Sequence, residues 1–170
     1  AVFATTPKNE KAIVCILGTG SNCSYFDGQV LHQKVQSLGY IGMDDCSGNR
    51  FGRHLIRGYY FNKMPKELAL EFEEEYNLDA DYIKHNLYKE PNPNAYLATF
   101  AKFLIKHKDT DFCKAFIQFE LENFVEFYIK QYDNYKEVPV HFIGSIALYL
   151  RDELEAMLTR HDITIGNVLR

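Results

Sequence analysis

Gly18-Thr19-Gly20-Ser21-Asn22 follows directly on the apolar run Ala12-Ile13-Val14-Cys15-Ile16-Leu17. The run reads as a fully buried strand, since an unbroken apolar stretch leaves no face for water. The turn after it holds two glycines and three short polar side chains. A backbone free to take positive φ can aim several amides at one point, and hydroxyls add donors, which is what a phosphate needs. The same composition also serves a plain tight connection between strands. Cys23-Ser24-Tyr25-Phe26 is short and aromatic, and Asp27-Gly28 is a two-residue turn signal. Gln29 to Val35 is therefore expected to return as a third strand, completing an antiparallel meander.

Residues 39–53 read GYIGMDDCSGNRFGR. They set Asp44, Asp45 and Ser47 at the mouth of a helix whose apolar stripe is Phe51, Leu55 and Tyr59, with Ile56 and Tyr60. Far downstream, Val138 to Ile143 is a short strand, and Gly144-Ser145 opens a helix carrying Ile146, Leu150, Leu154, Met157 and Leu158. A strand, a small-residue turn and a helix N-terminus suit a nucleotide, and equally suit an ordinary close-packed connection. About Thr164–Val168 forms a last strand, joined by a right-handed crossover if parallel. The middle of the chain is helical. Pro65 fits a first turn, with Leu68, Phe72 and Tyr76 as the stripe. Asp79 caps a short helix through Leu87, and Asn94 caps the next, with Leu97, Phe100, Ala101 and Leu104 inward. Thr110 caps a long helix to about Tyr132. Its broad apolar face, from Phe112, Phe116 and Phe119 to Leu121, Phe124, Val125 and Tyr128, predicts burial on more than one side, against the sheet or another subunit. A homodimer is thereby left open. The sum is a single α/β domain over residues 1–170 with a mixed sheet and a helical insert.

Composition narrows the function. At 170 residues, 46% hydrophobic and 25% charged, the chain can bury one good core. A net charge of −4 argues against a nucleic-acid surface. No run of apolar residues is long enough to span a membrane. The cysteines, Cys15, Cys23, Cys46 and Cys113, fit no zinc or iron–sulfur spacing. Without a signal-peptide pattern, reduced thiols in the cytoplasm are the expectation. Cys15 and Cys113 read as core. Cys23 and Cys46, beside the two loops, read as core residues or as thiols near a substrate. No histidine pair shares a helix face with a third ligand in sight, so no metal centre is expected.

The order GTGSN, hairpin, Gly39-x-x-x-x-Asp44-Asp45-x-Ser47-Gly48, helical insert and Phe142-Ile143-Gly144-Ser145-Ile146-Ala147 resembles the C-terminal lobe of a known family. This is the N-acetylglucosamine kinase and benzoyl-CoA-reductase-activator ATPase family, within the actin, sugar-kinase and heat-shock-70 superfamily. The resemblance runs from about Lys11 to Asn167 and is strongest at Gly18–Asn22 and Gly39–Arg53. It implies a ribonuclease-H-like (actin-like ATPase) lobe, one of two that close on ATP. The implied reaction is phosphorylation of an amino-sugar hydroxyl by ATP with Mg²⁺. By resemblance, Gly18, Thr19 and Gly20 meet the nucleotide phosphates, and Gly144 and Ser145 the adenosine. Ser21, Asn22, Asp44 and the loop Ser37, Leu38 and Gly39 meet the sugar. Read from the residues alone, Asp44 and Asp45 also suit helix capping.

Two positions depart from the family pattern. Met43 and Cys46 stand where glycine is common, which puts the shape of the sugar pocket in doubt. The family's N-terminal lobe, with its phosphate loop, and its catalytic aspartate would precede Ala1. The start at Ala1-Val2-Phe3 and the end at Gly166 to Arg170 read as cuts in a longer polypeptide. The expected partners are a small sugar and the chain's own N-terminal lobe. Two other readings stay open: an ATP-driven reductase activator, which would need cysteines for an iron–sulfur cluster, and a kinase-like protein that binds without catalysis.

Overall fold

The computed structural model describes residues 2–170. In chain order the elements are α1 (Val2–Thr5), β1 (Ala12–Leu17), β2 (Ser21–Phe26), β3 (Leu31–His32), α2 (Gly48–Tyr60), α3 (Lys66–Glu75) and α4 (Ala80–Tyr88). There follow α5 (Pro93–Thr99), α6 (Ala101–Lys106), α7 (Asp111–Phe127), a 3-10 turn at Ile129–Gln131, β4 (Val140–Ile143), α8 (Ser145–Tyr149), α9 (Arg151–Arg160) and β5 (Ile165–Leu169). The apolar run of β1 takes the middle of a mixed sheet ordered β3-β2-β1-β4-β5. It pairs antiparallel with β2 and parallel with β4, which pairs parallel with β5.

Side chains alternate along β1. Ile13, Cys15 and Leu17 join Val140 and Phe142 in the main core, with Phe51 and Leu55 of α2 and Ile117, Leu121 and Phe124 of α7. Each of the fully buried aliphatic and phenyl side chains among these contributes about 1.5–3 kcal/mol. Val14 and His141 face the other way and are also buried, while Ile16 is 40% exposed. β1 is therefore not the fully buried strand its composition suggests. Its second face loses cover at the end nearest the Gly18 turn.

The hairpin differs from expectation. β3 is two residues long, pairing Leu31 with Phe26 and His32 with Tyr25. The connection spans residues 27–30, closed by the Asp27 amide donating to Val30 O at 3.1 Å. The Asp27 carboxylate accepts the amides of Gln29 and Val30 at 2.8 and 2.7 Å, so a side chain organises a wider turn than Asp-Gly alone would make. Leu31 and His32 are exposed at the sheet edge, so no buried face holds a longer strand.

Within the insert, the Asp79 and Thr110 side chains cap α4 and α7 as expected. Asn92 rather than Asn94 precedes α5, in the left-handed region at φ 60°, because Pro93 takes the first turn. The helix expected to run unbroken from Gly144 divides at Leu150 into α8 and α9. α7 stops at Phe127, and Phe119 on its broad face is 55% exposed, so that face is covered only in part. Beyond it, the Tyr132 hydroxyl donates to Cys23 O at 3.1 Å and ties the end of the insert to β2. Burial above all pushes that hydroxyl up to about 12.

Candidate functional site

The Gly18 turn is stitched to the start of α2. Gly18 O accepts the Gly48 amide at 2.7 Å, and Thr19 O accepts the Asn49 amide at 3.0 Å. The Asn49 side-chain amide also donates to Thr19 O, at 2.7 Å. The N-cap of α2 is Ser47, whose hydroxyl accepts the Arg50 amide. Capping thus belongs to Ser47, and the capping reading of Asp44 and Asp45 is overturned. The first amides of α2 are spent on the turn's own carbonyls. What the turn still offers a ligand is the Thr19 hydroxyl and the amides of Thr19 and Gly20, which have no partner among the described residues.

Beside this turn lies a cleft of about 490 Å³ walled by Gly18 and Thr19 on one side, Ser145, Ile146 and Tyr149 on another, and Ile105 of α6. The structure therefore brings the Gly18-Thr19 turn and Ser145 to one cavity, though 126 positions separate Thr19 from Ser145. Gly144 makes this possible. It sits at φ 124° and ψ 163°, and a Cβ there would lie 2.2 Å from Leu17 O. The sequence reading missed Ile105, Tyr149 and Lys102. Lys102 also lines the cleft and has no ion-pair partner among the described residues. Its only signal was an exposed position beside the buried Ala101, Phe103 and Leu104.

Asp44 is buried just past the turn. Its carboxylate accepts the Ser21 amide at 3.2 Å and the Asn49 side-chain amide at 2.9 Å. Gly20 is required here, because a Cβ would lie 2.7 Å from Asp44 Oδ2. Two enclosed polar atoms beside it, Ser21 Oγ and Asn49 Oδ1, make no well-formed hydrogen bond, although Ser21 lies near the Tyr128 hydroxyl.

Asp44 and Cys46 both lie in the left-handed region, at φ 65° and 58°. Aspartate tolerates it, but a cysteine there costs about 1–2 kcal/mol relative to glycine. The turn is held by a network from the insert. Glu120 Oε2 accepts the Cys46 amide at 2.8 Å, while Oε1 pairs with Arg50 Nε at 3.2 Å and His54 Nε2 at 2.6 Å. Asp45 accepts from Arg50 at 3.0 Å and from the Tyr128 hydroxyl at 3.0 Å. Burial, then the Asp45 charge, pushes Tyr128 up to about 12.

Burial alone would raise the Glu120 carboxyl, but the His54 hydrogen bond, the Cys46 amide and the nearby positive charges pull it below the ordinary glutamate value. A folded pKa below the unfolded one means stabilisation that is complete above the ordinary value and lost as pH falls through the depressed one. Thermal melts across the acid range are expected to show this loss, and Glu120→Gln to flatten it. An unchanged acid slope in that variant would remove Glu120 as its source.

The other candidate sugar residues scatter. Successive residues of β2 face opposite sides, so Ser21 lies toward Asp44, whereas Asn22 Oδ1 accepts from Ser24 and Gln33. Ser37 and Leu38 are exposed, and the loop joins the Asp44 turn through Met43, whose amide donates to Gly39 O at 2.9 Å. Cys23 and Cys46 are buried, which excludes the reading of either as a thiol at a substrate. Burial, then the charges of Glu120 and Asp45, pushes the Cys46 thiol well up. Side chains from separate helices gather at Glu71, Glu75 and His107 and at Glu122, Glu126 and His161, which spacing along the chain did not reveal. Lys106 pairs with Glu71 and Glu75, and Lys130 with Glu126, so lysine ammonium groups already offset these carboxylates. Among the described residues, no helix is long and apolar enough to cross a membrane.

No protein-family model matches the chain, and no curated protein sequence matches it. Solved structures do. A candidate N-acetylglucosamine kinase from Porphyromonas gingivalis is similar at 35% identity and a TM-score of 0.90, over 95% of this chain and 57% of that one. A candidate N-acetylglucosamine kinase from Chromobacterium violaceum shares the fold at 18% identity and a TM-score of 0.72, over 92% of this chain and 55% of that one. The chain thus spans a little over half the length of the structures it matches. It is a mixed α/β domain of sugar-kinase-like fold, similar over nearly its whole length to a part of these kinase-like proteins.

Proposed function

We propose that this chain is the nucleotide- and sugar-binding lobe, C-terminal in the longer protein, of an ATP-dependent amino-sugar kinase. The observation that carries this is the convergence of the Gly18-Thr19 turn and Ser145 on one cleft, with the Asp44 carboxylate fixed against the same turn. The cleft suits a nucleotide. Ile105, Ile146 and Tyr149 give apolar walls for a base, the free amide and hydroxyl of Thr19 suit a phosphate, and Lys102 adds positive charge. Among the described residues no carboxylate side chain lines the cleft, so the oxygens its walls could offer Mg²⁺ are the Thr19 and Ser145 hydroxyls and backbone carbonyls. Asp44 with the Ser21 hydroxyl and Asn49 Oδ1 beside it supplies the polar corner for a sugar hydroxyl. Phosphoryl transfer depends on positioning and charge stabilisation more than on covalent chemistry, and this lobe provides positioning. On this reading the general base is the aspartate that the family resemblance places just upstream of Ala1. A reductase activator fits less well, because all four cysteines are buried and none presents a thiolate for a shared cluster.

Titration of the chain with ATP and Mg²⁺, followed by amide NMR, is expected to shift Thr19, Gly20, Ser145 and Ile146, with weak affinity. Shifts confined to α3 and α4 would overturn the assignment. In the longer protein, N-acetylglucosamine is expected to drive ADP release well above neutral hexoses.

A further inference from the structure

We propose that Glu120, on a helix that contributes no residue to the cleft lining, is the positioning residue that aims the Asp44 carboxylate, acting through the backbone of Cys46. The proposal rests on the reading of Asp44 as the sugar-binding carboxylate. Glu120 itself reaches no ligand, since its side chain has no exposed surface. Its effect is on a turn that resists its own shape. Asp44 and Cys46 are left-handed with one residue between them, and cysteine disfavours that region. The Cys46 amide points into the protein and would be an unpaired buried donor without Glu120 Oε2 at 2.8 Å.

The clamp is itself fixed. Arg50 and His54, one turn apart on α2, hold Glu120 Oε1 from the helix that the same turn leads into. His54 is stacked on Phe116 of α7, with ring centroids 4.6 Å apart. Arg50 and Tyr128 also grip Asp45 from both carboxylate oxygens. The two residues after Asp44 are therefore pinned to α2 and α7. That leaves the Asp44 carboxylate one placement, against the Ser21 and Asn49 amides. The helical insert thus shapes the sugar corner through the backbone of the Asp44 turn. Glycine at position 46 would need no such clamp, since it takes positive φ freely.

The test uses Glu120→Ala, Glu120→Gln and each combined with Cys46→Gly, in the 170-residue chain. The Ser21 amide and the Asn49 side-chain amide donate to Asp44, so their NMR shifts report its placement. Each Glu120 variant is expected to move both signals and to speed Cys46 amide exchange by about tenfold or more, the scale of one lost hydrogen bond to a charged group. Cys46→Gly is expected to return Ser21 and Asn49 toward their wild-type positions. A purely structural Glu120 would lower the melting midpoint, leave those two signals in place and gain nothing from Cys46→Gly. That pattern overturns the proposal, and Glu120→Gln preserves the test if Glu120→Ala does not fold. The dissociation constant for N-acetylglucosamine is expected to rise about tenfold in the Glu120 variants and to recover with Cys46→Gly. Absence of sugar binding by the wild-type chain and the longer protein would defeat the kinase reading, while the Ser21 and Asn49 signals would still decide the positioning role.

Discussion

Gly144→Ala is expected to destabilise the domain by about 3–5 kcal/mol, from backbone strain and overpacking together. Gly144 lies at φ 124° and ψ 163°, a region that residues with a side chain scarcely enter. Space is the second objection. The added carbon would lie 2.2 Å from Leu17 O and 2.7 Å from the Leu17 carbonyl carbon. Both are backbone atoms of the central strand, so no side-chain rotation relieves the contact. The end of β4 must then separate from the end of β1, and the melting midpoint should fall by about 10 °C or more for a domain of this size. The same movement draws Ser145 away from Gly18 and widens the cleft. Nucleotide affinity should fall further than in Ser145→Ala, which loses one hydroxyl and leaves the backbone alone. A melting midpoint within 2 °C of wild type would show that the β4 turn is looser than this contact requires.

The frame of the site was legible because it is local. An apolar strand followed by a glycine turn, and a Gly-Ser turn before a helix, each announce themselves within a few residues. Asp79 and Thr110 were legible as caps for the same reason. Elsewhere the pattern was read too simply. Two aspartates drew the capping role away from Ser47, which holds it with one hydroxyl. Asp-Gly suggested a two-residue turn, but the Asp27 carboxylate gathers two amides and makes a longer one. The least legible parts are those assembled by packing. Glu120 meets Cys46 across 74 positions, and nothing near either residue announces the pairing. Cys46 stood out only as a missing glycine. Its left-handed backbone shows why glycine suits the position and why a distant carboxylate is needed in its place. Lys102 and Tyr149 reach one cleft from helices on either side of the insert's end. Helical periodicity says which face is buried, and it is silent about which exposed faces meet.

Asp44→Asn is expected to lower kcat/KM for the amino sugar in the longer protein by tenfold to a hundredfold while leaving nucleotide affinity nearly unchanged. A hydrogen bond from a sugar hydroxyl to a carboxylate contributes on the order of 1.5–3 kcal/mol, and each 1.36 kcal/mol is a factor of about ten in rate. The substitution is nearly isosteric, and asparagine accepts the left-handed backbone that Asp44 adopts at φ 65°. Backbone strain therefore does not enter. Hydrogen bonding does, because the two carboxylate oxygens accept from Ser21 and from Asn49. An amide offers one acceptor and turns its NH₂ toward the other donor. One of these bonds is lost, so stability should fall by about 1–3 kcal/mol as well. The two effects are separable. If Asp44 only holds the Gly18 turn to α2, the variant melts earlier, and its folded fraction turns over sugar at the wild-type kcat/KM. If the carboxylate also receives the sugar, turnover falls at temperatures far below the melt, and saturating nucleotide does not restore it. Steady-state kinetics and a denaturant melt on the same preparation distinguish these outcomes, and a wild-type kcat/KM beside a lowered midpoint would remove Asp44 from the sugar site.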